Sequence, residues 1–315
     1  MTTETTKGKY NVIGTRPIRH DGYDKVTGRA IYGADIKLPG LLQGAVLRSP
    51  HAHARIKSID TSAAKALAGV GAVITSADFP GAHDTLIDLG EGAINFRYAS
   101  NNVMAGDKVL YKGQPVAAVA ALDKNTALEA AALIKVDYEV LKPVSTVMEA
   151  LKQGAPIVLE DLEGQDLGEK IDGQTNQANH IRHEFGDVEK GFAEADIVIE
   201  REFDTAMVHQ GYIEPHNATA TWDEEGRVTV WTSTQGSFPT RRQTAGILRL
   251  PDSSVKVIPL EIGGGFGGKI PSYLEPVAAI LSRETGRPVK LLMERTSVFE
   301  STGPTPGTWM SAKVG

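Results

Sequence analysis

The sequence contains no cysteine. A chain without thiolates forms no disulfide, and by itself it holds neither an iron–sulfur cluster nor a Cys-type zinc site, so any such centre belongs to another chain or domain. Long apolar runs are missing as well. None approaches the roughly 18 residues needed to span a bilayer, and the polar start Met1-Thr2-Thr3-Glu4 lacks the apolar stretch of a secretory signal. A cytoplasmic protein with no membrane span is the expectation. Nor is there an excess of positive charge. Lys and Arg number 33 against 39 Asp and Glu, the signs are interspersed and the net charge is -6. That balance argues against a nucleic-acid partner, whose phosphates are met by clustered cations. What is present is an ordinary globular composition over 315 residues, long enough for two domains with substantial cores.

The pattern of apolar segments divides the chain. Residues 1–9 are polar and expected to be a disordered tail. Over 10–145, strands are expected at 41–49, 72–74 and 135–140, with two apolar runs around a Gly-containing turn at 109–120. Helical patterns cover 61–67 and 126–134, Asp24-Lys25-Val26-Thr27-Gly28 reads as a turn, and 80–107 reads as a long irregular excursion. This order predicts a compact α+β domain. Residues 146–190 are acidic, rich in Gly, Asp and Gln, and lack a sustained period, so they are expected to be a linker. A second domain over 191–315 follows, with a strand at 196–203, a hairpin turned by Asp223-Glu224-Glu225-Gly226, a helix at 239–248, strands at 255–258 and 289–293, and a helix at 273–283 stopped by Gly286. The final residues look like another strand, whose sheet a further polypeptide would complete.

The chemistry is expected at Gly263-Gly264-Gly265-Phe266-Gly267-Gly268-Lys269, between a strand and a helix. Five glycines permit positive φ and let main-chain N–H groups lie directly against an anionic ligand. Two nucleotide templates fit the spacing in part. Gly263-x4-Gly268-Lys269 follows the phosphate-loop pattern up to the lysine, but Ile270 stands where a magnesium-binding hydroxyl is needed. Gly263-x-Gly265-x-x-Gly268 follows the dinucleotide fingerprint, with Glu294 as candidate ribose acid, but Pro271 would then fall inside the helix.

Further segments combine with the loop into a more specific pattern. They are Asp24-Lys25-Val26-Thr27-Gly28, Arg48-Ser49-Pro50-His51-Ala52-His53-Ala54, Tyr111-Lys112-Gly113-Gln114-Pro115-Val116, Tyr212-Ile213-Glu214-Pro215-His216 and Ser233-Thr234-Gln235, with Gln235 lying 31 residues before Phe266. In order and spacing the chain resembles the molybdenum-binding subunit of the xanthine dehydrogenase/aldehyde oxidase family, the molybdenum hydroxylases. The resemblance implies an α/β hammerhead domain followed by the first part of a molybdopterin-binding domain. It implies a molybdenum–molybdopterin cofactor, in the cytosine dinucleotide form, and oxidation of an aldehyde or N-heteroaromatic small molecule with oxygen from water. Electrons would leave through iron–sulfur and FAD partner chains. Gln235 corresponds to the glutamine whose amide approaches the metal, and Phe266 and Gly267, flanked by Gly265 and Gly268, correspond to residues whose main-chain N–H groups hold the cofactor. The family's general-base glutamate lies in a Gly-x-Gly-Glu segment that would follow residue 315, as would the contacts to the rest of the cofactor, so a chain carrying that C-terminal half is an expected partner. Purine-oxidising members carry a glutamate where this chain has Ile270.

Other candidates are assigned structural roles. His51 and His53, two apart, would share a face of an extended chain, but too few ligands lie nearby for a metal. Glu214 is read as a carboxylate holding a turn, and Glu214→Gln is expected to leave cofactor binding largely intact. Lys269 is read as a support for the loop. The rival readings are a non-catalytic scaffold subunit of the same fold and a dinucleotide-binding oxidoreductase.

Overall fold

The computed structural model describes residues 11–88, 93–303 and 305–315; the expected disordered stretch 1–9 lies outside them. A seven-stranded mixed sheet organises the chain, in the order Val255–Pro259, Val228–Thr232, Asn217–Trp222, Val289–Leu292, Leu42–Arg48, Pro115–Ala121, Val70–Thr75. Leu42–Arg48 runs parallel to Val289–Leu292, with Leu42 opposite Val289. One sheet therefore crosses the chain boundary expected near residue 145, joining strands from the first and last thirds of the sequence. No local pattern announces that junction.

Next to the Val70–Thr75 edge, this sheet is covered on both faces. Every residue of Pro115–Ala121 is buried, which explains its continuous apolar run. Ala118 and Ala120 face the core shared with helix Glu275–Thr285, whereas Ala117, Val119 and Ala121 face the core shared with helix Lys124–Leu133. Asp123 caps the latter helix through Oδ1, which accepts from Asn125 N–H at 2.9 Å and Thr126 N–H at 3.0 Å. The other helix begins with Glu275-Pro276 and ends at Gly286, whose φ of 63° is the left-handed stop expected there. Glu275 is buried and serves its own helix start: Oε2 accepts from Tyr273 N–H at 3.0 Å and Leu274 N–H at 3.2 Å, and Oε1 from Thr232 Oγ1 at 2.9 Å. Burial raises its pKa.

A second sheet, Lys108–Val109, Ala54–Asp60 and Lys135–Val140, packs over the small Ala54, Ala105, Val109 and Val116 core. Two expectations fail locally. The 80–107 excursion contains helix Phe96–Val103, started by Asn95 Oδ1 accepting from Arg97 N–H at 2.8 Å, with Phe96, Ala99 and Val103 buried. Asp24–Gly28 is not a simple turn but the end of helix Gly22–Thr27, which Gly28 terminates at φ 74°. His51 and His53 are not on one extended face either, because the chain bends there. His53 is buried with Nδ1 2.8 Å from the Lys142 carbonyl, while His51 meets Tyr138 edge-on at 5.0 Å. The last strand, Thr308–Val314, pairs with Ile199–Thr205 in an antiparallel ribbon whose residues are all exposed. Among the described residues no helix is long and apolar enough to cross a membrane.

Candidate functional site: the glycine loop and its polar platform

The glycine run links strand Val255–Pro259 to helix Glu275–Thr285. Because that helix starts six residues after Lys269, the glycines do not open it, and both nucleotide templates lose the helix N-terminus on which they depend. The loop instead curls over side chains from 212–217 and 233–235. Gln235 and the loop, distant in sequence, are brought together as expected. Gln235 Oε1 accepts from Gly267 N–H at 2.9 Å and Lys269 N–H at 3.1 Å, and Gln235 N–H donates to the Lys269 carbonyl at 3.1 Å.

This pairing corrects one detail of the expectation. Gly267 N–H points to Gln235 and is not free for a ligand. The N–H groups of Gly264, Gly265 and Phe266 have no partner among the described residues, and neither has the Gln235 Nε2. Phe266 is held at φ 50° and is 74% exposed. That left-handed conformation is unusual for a side chain of its size.

Three positions of the loop leave no room for a side chain. A Cβ on Gly263 would lie 2.5 Å from Glu214 Cβ, one on Gly265 2.5 Å from Gln235 Oε1, and one on Gly268 2.7 Å from Tyr212 Cε1. Gly267 differs: nothing lies within 4 Å of its Cβ direction, but its φ is 88°. A side chain there would project into open space beside the loop, where a ligand would approach.

Beneath the loop lies a platform that the sequence reading undervalued. Glu214 Oε2 accepts from Gly263 N–H at 2.8 Å and Lys269 Nζ at 2.8 Å, and Oε1 accepts from Asn217 Nδ2 at 3.2 Å. One carboxylate thus ties together both ends of the loop. The Lys269 side chain is fully buried, lies 5.1 Å from the centroid of the Tyr212 ring, and has its pKa lowered by burial against the opposing pull of Glu214. Lys269 is therefore a loop support, but Glu214→Gln is not the mild change expected from sequence, since it would leave a buried ammonium without its counter-charge. Asn217 extends the platform, donating from Nδ2 to Ser233 Oγ at 3.0 Å. Arg295 donates to the Tyr212 carbonyl at 2.8 Å. Gln210 Oε1 is buried without a partner among the described residues and lies 3.3 Å from where a Cβ on Gly268 would stand. No motif singled out Asn217, Arg295 or Gln210.

The site is a glycine-walled loop that presents main-chain donors beside an amide side chain, on a mixed α/β scaffold with a separate small sheet. The comparisons give the family. Residues 171–315 match the molybdopterin cofactor-binding domain, and residues 27–142 match the aldehyde oxidase and xanthine dehydrogenase a/b hammerhead domain. The chain belongs to the xanthine dehydrogenase/aldehyde oxidase family, the molybdenum hydroxylases, as a portion of the large, molybdopterin-binding subunit. It is 34% identical over 288 residues to the nicotinate dehydrogenase large molybdopterin subunit of Eubacterium barkeri, covering 91% of this chain and 62% of that one. It is 38% identical over 300 residues to the carbon monoxide dehydrogenase large chain of Afipia carboxidovorans, covering 93% of this chain and 36% of the relative. Among solved structures, the aldehyde oxidoreductase of Desulfovibrio gigas superposes with a TM-score of 0.77 at 25% identity, over 94% of this chain and 32% of that one. The chain thus spans less than two thirds of the length of these relatives.

Proposed function

We propose that the glycine loop and Gln235 form one wall of the molybdenum site in an oxidoreductase acting on an aldehyde or N-heteroaromatic compound. The observation that carries this reading is the juxtaposition of three main-chain donors, at Gly264, Gly265 and Phe266, with the amide nitrogen of Gln235, all without a partner among the described residues. These donors fit the group. Molybdopterin is anionic and rich in acceptors, and fixed N–H dipoles stabilise such charge without reorganising. When bound, the cofactor supplies two-electron oxidation with oxygen taken from water.

The chain's own residues orient and exclude. Gly267 and Lys269 hold Gln235 Oε1, so the donating end of the amide is the one left for the cofactor. Gly267 keeps the backbone bare for close approach, while Gly265 and Gly268 let the loop close onto Gln235 and Tyr212. Half-buried Ile270 offers a purine ring no hydrogen bond, which disfavours xanthine as substrate. Nicotinate, in the name of one relative, is an N-heteroaromatic of the favoured class. The carboxylate nearest the loop, Glu214, already accepts from Gly263, Lys269 and Asn217 and is not available as a general base. In this reading the base and the remaining cofactor contacts come from polypeptide other than these 315 residues. The cofactor is the cytosine dinucleotide form, iron–sulfur and FAD chains carry the electrons away, and the enzyme works in the cytoplasm.

Metal analysis after expression in a host that makes the cofactor tests this reading. The 315 residues alone should retain no stoichiometric molybdenum and show no turnover, and co-expression with the remainder of a molybdopterin-binding subunit should give both. Gly267→Val in that assembly should abolish molybdenum retention. Turnover by the pure 315-residue chain would overturn the argument about the base; an assembly that folds without molybdenum would favour the scaffold.

A further inference from the structure

We propose that Arg295 is a positioning residue whose guanidinium pins the main chain of Tyr212 and Ile213, the sill on which the glycine loop rests. Contacts at three glycines make residues 212–214 that sill. Glu214 meets Gly263 twice: its N–H donates to the Gly263 carbonyl at 3.2 Å, and its Oε2 accepts from Gly263 N–H at 2.8 Å. A Cβ on Gly264 would lie 3.0 Å from Tyr212 Cβ, and one on Gly268 2.7 Å from Tyr212 Cε1. The loop is therefore placed by whatever places residues 212–214.

Sheet pairing does not do so. The antiparallel pairing of Asn217–Trp222 with Val289–Leu292 ends at Asn217 opposite Leu292, and one further main-chain bond, Met293 N–H to the His216 carbonyl at 2.9 Å, closes it. Tyr212 and Ile213 lie beyond, outside every strand and helix, so their carbonyls need other partners. Arg295, two residues past Met293, supplies both. Nη1 donates to the Tyr212 carbonyl at 2.8 Å and Nη2 to the Ile213 carbonyl at 2.5 Å, and no other group among the described residues donates to either oxygen. The side chain thus carries the pairing on where the backbone stops.

A guanidinium is planar, permanently charged and forked, so it fixes two acceptors relative to each other, as a lysine ammonium does not. Its own place is set by Phe299 on the same helix, whose ring centroid lies 5.4 Å from Arg295 Cζ. The chain passes here from buried Tyr212 to exposed Ile213 and back to Glu214. Pinning both carbonyls aims the Glu214 carboxylate under Gly263 and Lys269 and keeps the Tyr212 ring beneath Gly268. Glu214 holds the loop by charge; Arg295 sets where Glu214 stands. The inference deepens the proposed function and rests on it for its meaning, since this loop displays the Gly264–Phe266 donors.

Hydrogen exchange in the full chain, read by mass spectrometry without cofactor, tests this directly. Arg295→Met keeps an apolar stem beside Phe299 and removes both donors. It should speed exchange of the Glu214 and Gly263 amides, read in peptides spanning 212–217 and 261–269, by roughly tenfold, the effect of losing one net hydrogen bond, and leave the 275–285 helix unchanged. Arg295→Lys keeps the charge but loses the fork, so its exchange should fall between wild type and Arg295→Met. Wild-type exchange at both peptides in Arg295→Met would overturn the proposal. Equal acceleration in the 275–285 helix would overturn it too, by making Arg295 a general support, as would wild-type exchange in Arg295→Lys, by reducing the fork to a charge. Should Arg295→Met fail to fold, Arg295→Lys alone decides it. The readout needs no cofactor, so its failure would leave the proposed function standing, and loss of that reading would leave the pinning of the loop intact.

Discussion

Two buried regions of this molecule are built on opposite principles. Strand Pro115–Ala121 is enclosed on both faces by alanine and valine, with its polar backbone paired to Leu42–Arg48 on one side and Val70–Thr75 on the other. The platform under the glycine loop buries Lys269, His216 and Asn217 beside the part-buried Glu214, each joined to a partner. In the strand, volume is the specification. In the platform it is the matching of donors, acceptors and charges, and a change that conserves volume can still be severe. The glycine loop rests on the second kind of interior because it has few side chains with which to anchor itself.

The largest effect is expected from Glu214→Gln, which keeps the shape and removes the charge. With Lys269 fully buried, the expected loss of unfolding free energy is about 3–5 kcal/mol, measured by urea denaturation. Combining Glu214→Gln with Lys269→Met should recover a large part of it. A single variant within about 1 kcal/mol of wild type would mean that water reaches the pair and that the platform is not a charge-matched interior.

Ala118→Leu probes the other region. Its site is wholly buried between the sheet and helix Glu275–Thr285, and the added isopropyl group has no space. Overpacking there should destabilise by about 1–3 kcal/mol, again read by urea denaturation. Ala118→Ser adds little volume and should do less harm than its polarity alone suggests only if the hydroxyl finds a backbone acceptor. This strand should respond to size, the platform to charge.

The same contrast explains what the sequence made legible. The apolar run ending in Pro115–Ala121, the Ala-rich helix, Gly286 and the Asp223 turn are local signals, and the structure places those elements within a few residues of expectation. Helix Phe96–Val103 escaped because only Phe96, Ala99 and Val103 turn inward while Arg97, Asn101 and Asn102 interrupt the apolar pattern. The pairing of Leu42–Arg48 with Val289–Leu292 is nonlocal and leaves no periodic trace. At the site, the glycine loop was visible by composition, and its meeting with Gln235 followed from family resemblance. The burial of Lys269 and the link between Tyr212 and Thr302, 90 residues apart, could not be read from either segment.

The smallest expected effect, and the one that isolates a single member of the platform, is the pH dependence contributed by His216. Burial, reinforced by the nearby Lys269 charge, lowers its pKa from 6.5 to about 3. The native state therefore refuses a proton that the unfolded chain accepts. Stability from this group is fully present above about pH 6.5 and is lost as pH falls toward about 3, with a slope of at most about 1.4 kcal/mol per pH unit. Glu275 works in the other direction, since its raised pKa lets the native state take up a proton before the unfolded chain does. Comparison with His216→Asn removes that background, because both proteins retain Glu275 and only one has the ring. Between about pH 7 and about pH 5, the wild type should lose stability relative to the variant. Parallel curves would show that His216 is charged or hydrated in the native state, and the platform would then be less dry than the fully buried Lys269 beside it implies.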